Sequence, residues 1–424
     1  MLRIVSSSNR RAVAELLSAT RIRDRATEAR ANDIVRAVRQ NGDAALERFA
    51  RTLDGNPGRL EVTRSSWERK AAPLDAAVRR AIARAARNIR SVAKRQVPRG
   101  WRHAVASGVS VEQRVVPLNR VGCYVPAGRY PLPSSLLMTA IPARAAGVGE
   151  VIVCCPRPDA AVYTAALEAG ADRLFQIGGA HAVAAMAYGT ATVPIVDKIV
   201  GPGNRWVSAA KSLISGDCGI DFYAGPTEIL IVTATGPARW IAADLIAQAE
   251  HDPDARAVLI TPSARLARQV AAEVERQVLP EGPARQSLAR HGGAIVCRSI
   301  AEAIDLTNDA ASEHVVAGTE AIAGAVVNAG AIFVGEWTAQ VAGDYAIGSN
   351  HVLPTAGAAR FRGGLNAADF VKLVSIQRVS KRGLAGIGKT ITTLARAEGL
   401  EGHARSIEVR IPASGSRLPS GSQS

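Results

Sequence analysis

The chain has 424 residues, 47% of them hydrophobic, and a formal net charge of +15; that length allows two domains with proper cores. No window approaches the roughly 18 consecutive apolar residues of a membrane span, and the opening Met1 to Arg11 lacks the apolar core of a signal peptide, so a cytoplasmic protein with no membrane partner is expected. The positive charge suggests nucleic acid, but its distribution argues otherwise: residues 1–100 hold 23 Lys and Arg against 10 Asp and Glu, spread along helical stretches, with no helix-turn-helix or zinc-finger spacing.

In chain order, residues 1–20 read as an N-terminal helical arm. Two helices reach about residue 50, with Asn32 or Asp33 as the cap of the second, and 64–96 is helical from near Ser65 and Ser66. The stretch from Ser110 to Pro117 alternates as a half-buried strand. Residues 118–232 then alternate strands beginning at Val121, Val151, Leu174 and Lys198 with helices over 134–146, 159–169 and 181–188. Residues 233–365 repeat that rhythm. The expected class is α/β: two Rossmann-like units with parallel-rich sheets covered on both faces, plus N-terminal helices and a C-terminal helical segment. The helical part 21–117 is expected to pack with 233–365 as a first α/β domain, 118–232 forming the second, on the NAD side. Residues 366–412 read as the C-terminal helical segment and 413–424 as a disordered tail.

Glycines stand where strands turn into helices, at Gly178-Gly179 and across Gly201 to Asn204. Such turns offer backbone N–H groups and a helix N-terminus to a pyrophosphate, although tight βα turns alone also call for Gly and no full G-x-G-x-x-G is present. Of five cysteines, Cys154 and Cys155 lie in an apolar run that reads as a buried strand, so structural thiols are expected.

The chemistry-bearing residues gather later in the chain. Between Trp240 and His251 the apolar residues recur at helical spacing and place Gln248 and His251 three apart on one face. Asp344, His351, the pair Glu313 and His314, and Glu398 with His403 are possible partners from distant segments. Gln248, His251, Asp344 and His403 would offer a divalent metal such as Zn²⁺ an amide oxygen, two imidazoles and a carboxylate, a set with one negative charge that stays cationic and suits amine or imidazole nitrogen. Imidazole suits proton removal from an alcohol, and a carboxylate can activate water. Each of these residues alone also has an ordinary surface explanation.

Taken together, the motifs resemble the histidinol dehydrogenase family, from about residue 20 to residue 410: Pro131 to Ser135, Val196 to Asn204, Ala224 to Glu228, Gln248 to His251, Glu313-His314, Gly343 to Tyr345, Asn350 to Pro354, and Glu398 with His403. The resemblance implies a homodimer with one Zn²⁺ per subunit that uses NAD to oxidise L-histidinol twice, through an aldehyde, to L-histidine. It implies Gln248, His251, Asp344 and His403 as zinc ligands, and these with Thr227, His314, His351 and Glu398 as substrate contacts. Tyr124, His181 and Asn204 fall at NAD-contact positions. His314 takes the hydroxyl proton and Glu313 activates the water that hydrates the aldehyde. It also implies a C-terminal segment swapped between subunits, bringing His403 to the neighbour's site. Four positions depart from the family's usual residues: His181 for Gln, Ala127 for Gly, Ser312 for Pro and Ile347 for Ser. A same-scaffold dehydrogenase of another small polar alcohol, such as a sulfonated diol, is disfavoured by the joint presence of Glu313, His351 and Glu398. A basic binding protein with a relic fold is disfavoured by the intact ligand set.

Overall fold

In the strand from Glu228 to Val232, Ile229 and Ile231 face one apolar cluster while Leu230 and Val232 face another, the alternation of a strand buried on both sides. The computed structural model describes residues 2–18, 24–127, 132–223 and 225–411; the expected tail over 413–424 and the end of the N-terminal arm lie outside them. Contacts divide the chain into two compact units, Met1–Val97 with Pro117–Phe370, and Pro98–Val116 with Val371–Ser424.

The larger unit holds two six-stranded sheets. One is ordered Arg3–Ser6, Gly292–Val296, Arg256–Thr261, Glu228–Val232, His314–Ala317, Ala331–Val334, parallel throughout. The other is ordered Glu61–Val62, Arg173–Phe175, Glu150–Cys154, Arg120–Tyr124, Lys198–Val200, Gly219–Ile220, parallel except for its first strand. Each sheet winds outward from its fourth strand in both directions, and each gains an edge strand from the N-terminal region. The two halves therefore share a winding order, the doubly wound α/β plan expected from the strand-helix rhythm.

Three expectations about the N-terminal region change. The arm is not all helix: Arg3–Ser6 is a strand, followed by the helix Arg10–Leu17. The long helix Arg25–Phe49 begins at Asp24, whose side chain accepts from Ala26 N, so Asn32 and Asp33 lie inside it. The helices of 25–96 cover the sheet of 118–232, not that of 233–365: Ala31, Val35, Val38 and Leu46 share one core with Tyr124, Ile152, Phe175 and Met186, and Ala76–Gln96 packs on Pro133–Ala145 and Ala160–Ala169. The cause lies in Gly179–Tyr188, which buries every residue from Ala180 to Ala187. A helix apolar all round needs an outer layer, and amphipathic helices from the N-terminal region supply it.

In the smaller unit, Trp101–Ala106 and Val109–Pro117 form an antiparallel hairpin with Gly108 at φ 76°, and Val371–Val379 lies beside the second strand. The expected helix over 366–408 is thus a strand first, since Val371, Val374, Ile376 and Val379 are β-branched. Helices Lys381–Ala397 and Glu401–Glu408 follow. No helix of the described residues is long and apolar enough to cross a membrane.

Candidate active site

Four residues meet at the first ends of two neighbouring strands. Thr227 precedes Glu228–Val232, and Glu313 precedes His314–Ala317, its register partner in the sheet. The Glu313 carboxylate Oε2 accepts from the Thr227 hydroxyl and from Glu228 N at 2.9 Å. Gln248, in the last turn of Ala238–Ala249 and fully buried, donates its Nε2–H to Thr227 Oγ1 at 2.5 Å. Its Oε1 is buried with no hydrogen-bond partner among the described residues. Burial pushes the Glu313 carboxyl up to about 8, an effect that the Thr227 and Glu228 hydrogen bonds only partly offset.

His314 begins its strand buried, and its Nδ1 lies 3.1 Å from the Glu228 carbonyl. A carbonyl only accepts, so Nδ1 carries the proton and Nε2 presents a lone pair with no partner among the described residues. Burial lowers the imidazole's proton affinity. The 3.6 Å approach of Nδ1 to Glu313 Oε2 is therefore a contact between a neutral ring and its neighbour. The backbone between the two residues leaves the strand, which lets both side chains serve one site although adjacent strand residues point apart.

Asp344, buried in Gln340–Tyr345, receives the Gln340 amide on Oδ2 at 2.9 Å, the i, i+4 pair of one helical turn. His351 Nδ1 lies 3.1 Å from the Asp344 carbonyl, while its Nε2 stands 3.5 Å from Ser135 Oγ. Asp344 and His251 both act on the Glu313 and His351 charges, so they share this neighbourhood. His251, however, is not on the helix with Gln248. The helix ends at Ala249, and His251 lies exposed beyond its cap, because Pro253 follows closely and biases its own predecessor against the helical region. Glu398 and His403 belong to the smaller unit, both exposed, one at the cap of Lys381–Ala397 and the other on Glu401–Glu408.

Among the described residues no three His, Cys, Asp or Glu side chains are grouped to hold a metal. The proposed ligand set would not register as such a group, since one donor is an amide and another, His403, lies in the smaller unit. Its chemistry fits a divalent cation nonetheless: among the described residues Gln248 Oε1 is a buried acceptor with nothing to accept, and Asp344 is held by Gln340 through Oδ2, leaving Oδ1, 4.0 Å from His351 Nδ1, for a ligand.

Three N–H groups of the turns considered as pyrophosphate cradles are used within the fold. Gly178 N donates to Asp54 Oδ2, Gly179 N to the Tyr124 hydroxyl, and Gly201 N to Asp221 Oδ2. Two of them meet carboxylates and one meets a phenol hydroxyl. His181 is 1% exposed and is tied through Nε2 to Asp54 at 2.8 Å, so this imidazole anchors the turn. Asn204 caps Arg205–Ile214, its Oδ1 accepting from Trp206 N and Val207 N.

Comparison with known proteins decides the family. The family model for histidinol dehydrogenase matches residues 18–411. Proteins named histidinol dehydrogenase from Aromatoleum aromaticum and Thermus thermophilus are 44% identical over 92% of this chain and 92% of theirs, and 46% identical over 89% and 93%. A crystal structure of histidinol dehydrogenase from Elizabethkingia anophelis superposes with a TM-score of 0.90 at 30% identity, covering 97% of each chain. The chain belongs to the histidinol dehydrogenase family. As a member it is an oxidoreductase of α/β fold, and the resemblance noted in its motifs is borne out.

Several residues of this histidinol dehydrogenase relative lay beyond sequence reasoning. Gln340 holds Asp344, the Glu228 backbone serves both Glu313 and His314, and Ser135 approaches His351. The buried pair of Lys211 and Asp221 secures the 201–204 turn, Lys211 Nζ also reaching the Gly201 carbonyl at 2.6 Å. A Lys six residues into a predicted helix, and an Asp just past a short strand, gave no sign of this. Of the departures, Ser312 carries a buried hydroxyl with no partner, and Ile347 is exposed. All five cysteines are free and buried, their thiols pushed up by desolvation, as expected of structural residues.

Proposed function

We propose that the protein oxidises L-histidinol to L-histidine in two NAD-linked steps through L-histidinal, the last reaction of histidine biosynthesis, as a zinc-dependent cytoplasmic homodimer. The observation that carries this reading is the buried cluster of Glu313 and His314: a carboxyl and a neutral imidazole held side by side on one strand end, each oriented by the Glu228 backbone.

The metal would be held by Gln248, His251, Asp344 and His403. Zinc supplies an anchor for the substrate's amine and imidazole nitrogens, and NAD accepts each hydride. His314 Nε2, deprotonated and unpartnered, takes the hydroxyl proton in the first step, since hydride leaves carbon readily once its oxygen is becoming an alkoxide. Glu313, in its ionised form, then takes a proton from the water that hydrates the aldehyde, and His314, having released the first proton, serves again in oxidising the hydrate. Thr227, His351 and Glu398 contact the substrate. On the NAD side, Tyr124 accepts from Gly179 N and keeps its own proton for a ligand, while Asn204 retains its amide nitrogen. His181 acts there through the turn that it anchors with Asp54.

The homodimer is favoured by the smaller unit, which exposes Trp101, Val105, Leu373, Leu394 and Val409 by half or more, apolar area that a neighbouring subunit can cover. Purified protein with Zn²⁺, NAD and L-histidinol should produce two NADH per histidine, followed at the NADH absorbance band with the product identified. Chelation should abolish turnover and zinc restore it; full activity in a verified metal-free preparation would sink the zinc assignment.

A further inference from the structure

A primary amide has two ends of nearly identical shape, and only its oxygen can ligate a cation. Which end of Gln248 faces the metal is therefore a question of hydrogen bonding, and the neighbouring groups answer it in sequence. Glu228 N–H can only donate, so Glu313 Oε2 is an acceptor. With Glu313 ionised, as the base of the aldehyde step requires, the single Thr227 hydroxyl proton goes to that same oxygen. Thr227 Oγ1 is left with lone pairs towards Gln248 and must receive an N–H, which places Nε2 on Thr227 and turns Oε1 away, buried and without a partner. The alternative orientation sets two acceptors, the amide oxygen and the hydroxyl oxygen, against one another at 2.5 Å.

We infer that Thr227 is a positioning residue that sets the Gln248 amide with its oxygen towards the metal, through the run Glu228 N–H to Glu313 to Thr227 to Gln248. This rests on the zinc reading above. It is distinct from any contact that Thr227 makes with substrate, because it operates in the protein before substrate binds. Without the hydroxyl, the amide loses its directional restraint and keeps buried N–H groups with no acceptor in either orientation. With it, the ligand oxygen is already aimed.

Zinc affinity is the readout, measured without substrate or NAD by titrating stripped protein against a chromogenic chelator. Thr227→Ser retains the hydroxyl and should bind zinc as the parent does. Thr227→Val removes it at nearly constant volume and should weaken binding by about 10- to 100-fold, the range typical of groups that orient a ligand. In the Gln248→Glu background both terminal atoms are oxygen, so adding Thr227→Val should cost under about threefold. Thermal melts identify any variant that fails to fold, and the Thr227→Ser against Thr227→Ala comparison then takes over the test. Equal affinity of folded Thr227→Val and parent overturns the inference while leaving zinc in place, as does an undiminished loss in the Gln248→Glu background. A parent that takes up no zinc at one per chain overturns the zinc reading itself.

Discussion

Glu313 and His314 are adjacent in sequence yet make opposite demands on a proton. Burial raises the Glu313 carboxyl to about 8 and lowers the His314 imidazole. His314 is thus free to accept a proton, and Glu313 accepts one once ionised: His314→Asn should depress alcohol and aldehyde oxidation alike, whereas Glu313→Gln should mainly impair the aldehyde step, by roughly 10²-fold or more if it is the general base. Assaying L-histidinol and L-histidinal separately checks this, and equal losses in both half-reactions would contradict it. A second carboxyl carries a consequence for stability. Asp244, in the helix that carries Gln248, is raised from 3.8 to about 6 by burial alone. The folded state therefore holds a proton that the unfolded chain releases between those values, so stability is full below pH 4, falls as pH rises to 6 and stays lower above. Asp244→Asn should remove that penalty, stabilising by about 1–2 kcal/mol at pH 8, and less at pH 5, after allowing for partial solvent exposure. Melting curves with the same gain at both pH values would rule it out. Gln248, Asp344, Glu313 and His314 were legible in the sequence because few other residue types can do metal and proton chemistry. Gln340, Asp54 and the Glu228 backbone were not, since what they touch depends on register and helix phase.

At the scale of elements, the strand-helix alternation was legible throughout 118–334, because Val- and Ile-rich runs and Ala-rich amphipathic stretches have distinct periods. The site's location was less so. In doubly wound sheets ligands usually bind beyond the carboxyl ends of the strands, and Tyr124 and Asn204, the proposed NAD contacts, stand at or beyond those ends in their sheet. Thr227, Glu313 and His314 lie at the opposite, amino ends of theirs, where no turn motif announces a site. The helix Ala238–Ala249 explains why: running back along the sheet after Glu228–Val232, it delivers its last turn, with Gln248, to those amino ends. Elsewhere the short strand Arg3–Ser6 and the strand Val371–Val379 were hidden by brevity and by flanking helical patterns. The element most dependent on one unforeseen contact is the 201–204 turn. Gly201 has φ 116°, and a Cβ there would meet the Tyr124 carbonyl oxygen at 2.2 Å. Lys211→Met leaves Asp221 buried and unpaired beside that turn, so it should destabilise the protein by about 3–5 kcal/mol. Denaturant unfolding measures this, and a loss below about 1 kcal/mol would show that the pair contributes little.

At the scale of the molecule, the proposed swap of the C-terminal segment makes a prediction about mixtures. His251→Ala and His403→Ala homodimers should each be inactive, but a mixed dimer holds one site with both lesions and one with neither. Unfolding and refolding the two variants together should restore part of the activity. Confirmed mixed dimers without recovery would mean that His403 serves its own subunit or does not bind metal. One further consequence comes from the edge strand Arg3–Ser6, whose parallel partner Gly293–Val296 lies some 290 residues downstream. At roughly 5–20 residues per second, synthesis of that partner follows the first strand by about 15–60 s. The sheet of 120–220 and its covering helices emerge complete in the meantime. A strand that leaves the ribosome some 290 residues ahead of its partner is thus among the last to be paired, and over that interval it is unclaimed, available to a chaperone or to the wrong edge.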